Sequence, residues 1–294
     1  MAFVNILPIF YGVLCLNSGK LHRNLTVVVP NLGPCYRLNW LLTAVIFCFS
    51  CVLPANIHAM TAKEILDEVS KQSFNENFRM SLIIKTSKGN KLISNHVLWL
   101  TARVQEGKSS FFLDFEEPRE SKGLRFLFLQ EPGKEASAFM YLPATDRTVP
   151  LAVDDPSVDV GGTGLTTEDL QGFIQQTRSQ EELLREEKLD GRDCYVIRIP
   201  IPENKGERLL WISKDGFLVL KNQQLDAQGK LVRTFTVTKL IKTDQGKDFP
   251  RQEEVTVPSK GIRINVKQEF AVFGIEVPEE VMDPEKFGTY PWKG

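Results

Sequence analysis

The sequence predicts an α+β domain built on a large antiparallel sheet, and three observations predict it. Between Phe111 and Leu142 the segments SSFFLDFEEP, SKGLRFLFLQ and ASAFMYLPA follow one another with only short polar breaks, as successive strands do. From Asp193 onward, further strand-like runs are joined by short turns such as Lys214-Asp215-Gly216 and Ala227-Gln228-Gly229, which marks a hairpin meander. Ahead of both, Thr61 to Gln72 is helical in period, with Ile65, Leu66 and Val69 on one side and Lys63, Glu64, Asp67 and Lys71 on the other.

The first 59 residues differ from everything after them. They hold no Asp or Glu and only Lys20, Arg23 and Arg37 as cations, so the rest of the chain keeps 33 of the 36 basic residues and all 37 acidic ones, a formal net charge of −4. That balance lacks the basic footprint of nucleic-acid binding. Leu41 to Leu53 (LLTAVIFCFSCVL) is an apolar or small-residue run behind Arg37, followed by Ala55 and Ala59. A positive, greasy, small-residue order of this length reads as a secretory signal cleaved near Ala59. Lipidation at Cys51 is an alternative, though Cys48 stands where a lipoprotein signal normally has Leu. The long stretch ahead of the run fits a misassigned upstream start. Four of the five cysteines fall in this leader, which leaves Cys194 as a small core residue and no disulfide framework.

Taken in order, the remaining residues read as one domain over 60–287 with a tail at 288–294. Phe78, Met80, Leu82 and Ile84 alternate with Arg79, Ser81 and Lys85, so this strand has one apolar face. A Gly89-Asn90 turn leads into a long strand from Lys91 to Val104, which carries His96 and Trp99. In GLRFLFLQ, Leu124, Phe126 and Phe128 point one way and Arg125, Leu127 and Leu129 the other, so both faces are largely apolar. Such a sheet needs cover on both faces or an apolar guest on one. Val153 to Thr167 is rich in Gly, Asp, Pro and Thr, and a loop of that length is usually a lid, a binding loop or a disordered linker. Thr166 with Asp169 suits a helix N-cap leading into a helix over Glu168 to Gln176, and a second helix is expected over Ser179 to Leu189. Strands follow at Asp193–Pro200, Arg208–Ser213, Phe217–Leu225, Lys230–Leu240, Gln252–Pro258 and Ile262–Phe273, and Pro278 to Glu285 makes a short exit.

Little of this carries catalytic chemistry. His96 is the one histidine outside the leader, so a His/Cys metal cluster or a Ser-His-Asp arrangement finds no material, and the pattern calls for no metal and no cofactor. Gly161-Gly162-Thr163-Gly164 is a Gly-rich turn, but it lacks the phosphate-loop spacing and the parallel βαβ context. Asp154, Asp155 and Asp159 do not fit an EF-hand loop. The paired glutamates Glu116-Glu117, Glu181-Glu182 and Glu186-Glu187 lie in polar surroundings that would not separate their pKa values. What stands out is apolar excess: six of the nineteen phenylalanines, Phe111, Phe112, Phe115, Phe126, Phe128 and Phe139, fall within this Phe-rich run. A hydrophobic cavity between sheet and helices is an alternative to plain core.

The order of short motifs resembles the outer-membrane lipoprotein-sorting protein family, relatives of the periplasmic carrier LolA and the receptor LolB. The likeness runs through Pro118, Lys122-Gly123-Leu124, Phe139-Met140-Tyr141-Leu142-Pro143-Ala144 with Arg147, then Val160, Gly162, Thr163, Leu165 and Glu168-Asp169-Leu170. It continues through Gly191-Arg192 to Ile199, Leu210-Trp211-Ile212 with Gly216, and Asp226 to Lys230, covering Ala62 to Phe287. Phe139, Val160 and Gly164 depart from residues common in the family. The resemblance implies a curved antiparallel sheet, an unclosed barrel, with helices covering its concave face and an apolar cavity between.

By the same resemblance the protein is a periplasmic carrier that shelters acyl chains of lipid or lipoprotein on the way to the outer membrane, loaded and unloaded by membrane-bound partners. The expected lining is Phe78, Met80, Leu82, Ile84, Leu98, Phe111, Leu113, Phe115, Leu124, Phe126, Phe128, Met140 and Trp211. The expected lid loop includes Gly161, Gly162, Gly164, Leu165 and Asp169, within a cover from Val153 to Leu189. Two other readings remain open: a periplasmic sensing or adaptor domain that binds a protein partner on the same scaffold, and, weakest of the three, an enzyme built around His96 or a buried carboxylate.

Overall fold

The computed structural model describes residues 60–71, 76–105, 108–130, 136–153, 158–171, 180–242, 246 and 248–292. The leader, with its expected signal core at 41–53, Cys51 and the cleavage point after Ala59, lies outside the described residues. So do Asp154, Asp155 and the stretch 172–179 of the expected helices.

Helix α1 (Ala62–Lys71) starts where the sequence expects it. The Thr61 backbone N–H donates to Glu64 Oε2 at 2.8 Å and the Glu64 N–H donates to Thr61 Oγ1 at 3.2 Å, a reciprocal capping box. Its buried stripe is Ala62, Ile65, Leu66 and Val69.

The chain then lays down β1 (Phe78–Lys88), β2 (Lys91–Gln105), β3 (Lys108–Glu117), β4 (Arg125–Gln130), β5 (Ser137–Leu142) and β6 (Arg147–Leu151). After the short helix α2 (Thr167–Gln171) come β7 (Glu182–Leu189), β8 (Arg192–Ile201), β9 (Gly206–Ser213), β10 (Val219–Asp226), β11 (Leu231–Lys242), β12 (Asp248–Val257) and β13 (Ile262–Phe273). All thirteen join one sheet in the order β6-β5-β4-β3-β2-β1-β13-β12-β11-β10-β9-β8-β7, and every neighbouring pair is antiparallel. The first half of the meander runs outward from β1, and the second half runs back to pair β13 with β1. The sheet is curved and does not close, so β6 and β7 are its two edges although they are consecutive in the chain.

The sequence-based helix over Ser179 to Leu189 is overturned, because Glu182–Leu189 is the edge strand β7. Its residues favour a helix intrinsically, yet Asp190 and Gly191 take φ of 48° and 83°. That pair is a tight hairpin turn which forces pairing with β8. Charged cross-strand contacts then follow, with Arg198 Nη2 2.6 Å from Glu182 Oε2 and Lys188 Nζ 2.9 Å from Asp193 Oδ1. Strand β6, unexpected from the sequence, arises the same way behind Asp146, whose φ is 49°.

The two apolar faces of GLRFLFLQ are both covered. On the inner face Phe126 and Phe128 join a large buried cluster with residues of β1, β2 and β3. On the outer face Phe112 and Leu127 are buried by Val277, Val281, Met282 and Phe287 of the C-terminal segment, with Leu129, Phe139 and Tyr141 at the margin. The segment read as an exit and tail is therefore docked structure. Phe287 meets Phe112 and Tyr141 edge to face at 6.2 and 6.4 Å. Arg125 Nη1 donates to the carbonyls of Phe287, Gly288 and Tyr290 at 3.0, 2.7 and 3.3 Å. Further along, the Arg79 guanidinium lies between the rings of Trp99 and Trp292, 4.4 and 5.0 Å from their centroids. Among the described residues no helix is long and apolar enough to cross a membrane.

Candidate functional site: the inner wall and its cover

Strand alternation puts Phe78, Met80, Leu82 and Ile84 of β1 on the inner face, opposite Leu98 and Leu100 of β2 through the β1–β2 register. Phe111, Leu113 and Phe115 of β3 continue that face, and Phe126 and Phe128 of β4 follow. Ten of the expected lining residues are buried in this one cluster, and Leu124 and Met140 pack at its margin. Trp211 does not join them. Its neighbour Leu210 pairs with Asn222, which pairs with Phe235 of the inner cluster, so Trp211 faces the other way. There its indole N–H donates to Glu187 Oε1 and Lys221 Nζ lies 4.6 Å from its ring centroid. The Leu-Trp-Ile motif is buried on both sides of the sheet, so the register with β10 and β11 is what separates Trp211 from Leu210 and Ile212.

The cover over this wall is a turn, with α2 contributing Leu170 to the cluster. Residues 158–167 fold back on themselves: the Val160 N–H donates to Leu165 O at 2.8 Å and the Thr167 N–H to Val158 O at 3.1 Å. Asp159 closes the turn by accepting from the Gly162 and Gly164 N–H groups at 2.5 and 2.9 Å. The turn is pressed onto the wall, with Val160 and Leu165 inserted into the inner cluster. A methyl group built at Gly161 would sit 2.6 Å from Phe115 Cζ, and one at Gly164 would sit 3.1 Å from Ile264 Cδ1. Both glycines have positive φ, 65° and 77°, so these positions need glycine for conformation and for close approach alike. Gly162 lies over His96.

Polar contacts latch the turn in place. Thr86 Oγ1 donates to Thr163 O at 2.5 Å. Arg233 Nη2 donates to Gly164 O at 2.9 Å and pairs with Asp169 Oδ2 at 2.5 Å, with the two side chains 9% and 5% exposed. Asp169 also caps α2, accepting from the Thr166 N–H at 2.7 Å while its own N–H donates to Thr166 Oγ1 at 3.2 Å. The Thr166 and Asp169 cap expected from the sequence is present, and all five expected lid residues sit in this turn or in the cap behind it. Arg233 was missed, although Leu231, Arg233, Phe235 and Val237 alternate along β11 and set an arginine at an inward position.

The inner wall also holds polar groups with no hydrogen-bond partner among the described residues. His96 is 4% exposed and packs edge to face on Phe115 at 5.6 Å, with neither ring nitrogen hydrogen-bonded. Glu253 of β12 is 2% exposed with neither carboxyl oxygen bonded, and burial alone pushes its carboxyl well above the usual carboxylate range. It shares its face with Phe249 and Val255 of the cluster. Cys194 is buried, and desolvation raises its thiol pKa, the opposite of what an activated nucleophile needs.

An open antiparallel sheet with an apolar inner wall under a latched turn defines a LolA-like fold. A family model whose description reads "-like: Uncharacterized protein" matches residues 107–287, more than half of the chain, and the chain belongs to that family. No curated protein matches it in sequence. Three of the solved structures that share the fold show the likeness. An outer membrane lipoprotein-sorting protein domain from Vibrio parahaemolyticus superposes with a TM-score of 0.69 at 18% identity, over 78% of this chain and 98% of that one. A DUF1329 family protein from Desulfovibrio piger gives 0.66 at 17% identity, over 76% and 95%. A LolA superfamily protein from Nitrosomonas europaea gives 0.59 at 16% identity, over 76% and 98%. The fold expected from the motif order is the fold found.

Proposed function

We propose that the domain is a periplasmic carrier that shelters acyl chains of lipid or lipoprotein against the inner wall of its open sheet, for transfer toward the outer membrane. One observation carries this reading. A large apolar cluster takes in Val160 and Leu165 of a glycine turn and Leu170 of the short helix behind it, and a few polar latches hold that segment in place. Such a cover can lift as a unit. The energetics agree, because burying a CH₂ group is worth about 0.8 kcal/mol, so a long acyl chain left in water costs on the order of 10 kcal/mol. A wall of Phe, Leu, Met and Ile offers burial of that size, and a movable cover provides release. The solved sorting-domain and LolA superfamily relatives support the assignment in kind.

The test is to purify the domain from residue 60 onward, extract it with organic solvent and identify co-purified lipid by mass spectrometry, alongside titration with a fluorescent fatty acid. Bound lipid and saturable fluorescence are expected. A protein that is empty and ignores the probe ends the proposal. One observation favours a protein-binding role on the same scaffold: Phe270 is 57% exposed on the outer face beside Trp99, 6.4 Å away between centroids. Stoichiometric recovery of a single protein, lost in Phe270→Asp and free of lipid, would support that role instead.

A further inference from the structure

The inner wall carries a polar row that an ordinary core would not keep. Glu253 on β12 pairs with Val266 on β13, Val266 pairs with Ile84 on β1, and Ile84 pairs with His96 on β2. The two polar residues thus stand three strand spacings apart, about 14 Å along the sheet, with two buried aliphatic side chains between them. Among the described residues, neither carboxyl oxygen of Glu253 and neither ring nitrogen of His96 has a hydrogen-bond partner. Buried polar groups in native proteins are nearly always satisfied, so an orphan signals water, an ion or a ligand. Among the described residues no cation pairs with Glu253: Arg251, two residues earlier on β12, donates to Glu269 O at 2.8 Å and Glu269 Oε2 at 3.1 Å.

We infer that the Glu253 carboxyl is the polar anchor of the carried ligand, hydrogen-bonding the carbonyl or carboxyl group at the head of an acyl chain whose tail lies along the apolar wall. This rests on the carrier reading above and names its ligand chemistry. Burial favours the neutral form of the Glu253 carboxyl, and that form offers one O–H donor and further acceptor capacity. It therefore suits a carbonyl, an ester, an amide or a second carboxylic acid, and it does so without the cost of a buried charge. Val266 and Ile84 supply the surface for the first methylenes of the chain. His96, beneath Gly162, is the polar end of the row that the lifted turn exposes.

The experiment titrates the domain and its Glu253→Leu and Glu253→Gln variants with three fluorescent probes: cis-parinaric acid, its methyl ester, and diphenylhexatriene, which has no carbonyl. Glu253→Leu is expected to weaken the acid or the ester by about tenfold, the loss of one good hydrogen bond, while diphenylhexatriene binds as before. Glu253→Gln, which keeps a donor, should retain most of the affinity. Equal loss for acid and ester points to an ester- or amide-linked chain as cargo, and loss confined to the acid points to a free fatty acid. Melting curves check that both variants fold, and Glu253→Leu should be the more stable because it removes an unsatisfied buried group. Unchanged affinities for all three probes across the variants would overturn the anchor and leave the carrier standing. A wild-type protein that binds none of the three would overturn both.

Discussion

Replacing Arg233 with Met tests whether residues 158–171 form a separable cover or a fixed part of the core. In the folded protein the Arg233 guanidinium holds Gly164 O at 2.9 Å and Asp169 Oδ2 at 2.5 Å in a site where both side chains are under a tenth exposed. Removing one partner of a buried pair costs about 3–5 kcal/mol, because the other charge stays behind uncompensated. Asp169 keeps the Thr166 N–H, so the lower end applies, and about 3 kcal/mol is a factor of roughly a hundred in the opening equilibrium. Amide hydrogen exchange reads this directly. The Val160 and Thr167 amides, whose bonds to Leu165 O and Val158 O exist only while the turn is folded, should lose about a hundredfold in protection. Amides of β3 and β4 should not change. The added variant Asp169→Asn should give a double-mutant coupling of the same order. If the strand amides lose protection in parallel with the turn, turn and wall open as one cooperative unit and the reasoning fails.

Five further outcomes follow from particular residues. Gly161→Ala combines a positive φ with a methyl group 2.6 Å from Phe115 Cζ, so urea denaturation should show a loss of about 2–4 kcal/mol. Gly162→Ala, whose methyl meets His96 Nε2 at an ordinary 3.7 Å, should lose only the conformational part. Phe287→Ala empties the ring from its site between Phe112 and Tyr141, and should cost about 3–5 kcal/mol while bringing early proteolysis to the C-terminal segment. Cys194, buried with a raised thiol pKa, should react with a thiol reagent only as fast as the domain unfolds. Glu253 has a folded pKa well above its unfolded value, so its contribution is fully present below the unfolded pKa and is lost as pH rises through the folded one. Melting curves of wild type and Glu253→Gln should therefore diverge toward high pH, with the wild type falling; parallel curves would mean that Glu253 ionises freely.

The apolar wall was legible in the sequence because alternation is a local signal. Phe78-x-Met80-x-Leu82-x-Ile84 and Leu124-x-Phe126-x-Phe128 each set their own face, and the register then only had to bring those faces together. The hairpin turns and the Thr166–Asp169 cap were equally local. Long-range contacts hid the rest. β7 reads as a helix until the Asp190-Gly191 turn and the β8 partner are known. The C-terminal segment reads as a tail because its partner, the outer face of β3 to β5, lies more than a hundred residues earlier. Trp211 was placed on the wrong face because every residue of Leu210-Trp211-Ile212 is buried, and burial on both sides erases the alternation that assigns a face. Arg233 and Glu253 sit at inward positions among buried apolar neighbours, Glu253 beside an irregularity in the β11–β12 register. A charged residue breaking such a pattern was the available sign that those positions do more than pack.

The openness of the sheet is itself encoded at its two edges. Consecutive strands usually lie side by side, and pairing β6 with β7 would close the sheet and remove both edges. Instead β6 carries Pro150, which has no N–H to give, and exposed Arg147 and Thr148. β7 is the charged run ELLREEKL, with a register break between Leu183 and Arg185. These are devices that keep a strand edge from pairing. Because the edges stay apart and follow each other in sequence, the chain between them must travel from one to the other. Its described part, 158–171, does so against the inner wall, with Val160, Leu165 and Leu170 in the apolar cluster. The cover is therefore a consequence of topology, and its close fit is a consequence of composition. Glycines let the turn approach the wall while Val160 and Leu165 enter the apolar cluster, and the buried Arg233–Asp169 pair ties it to β11.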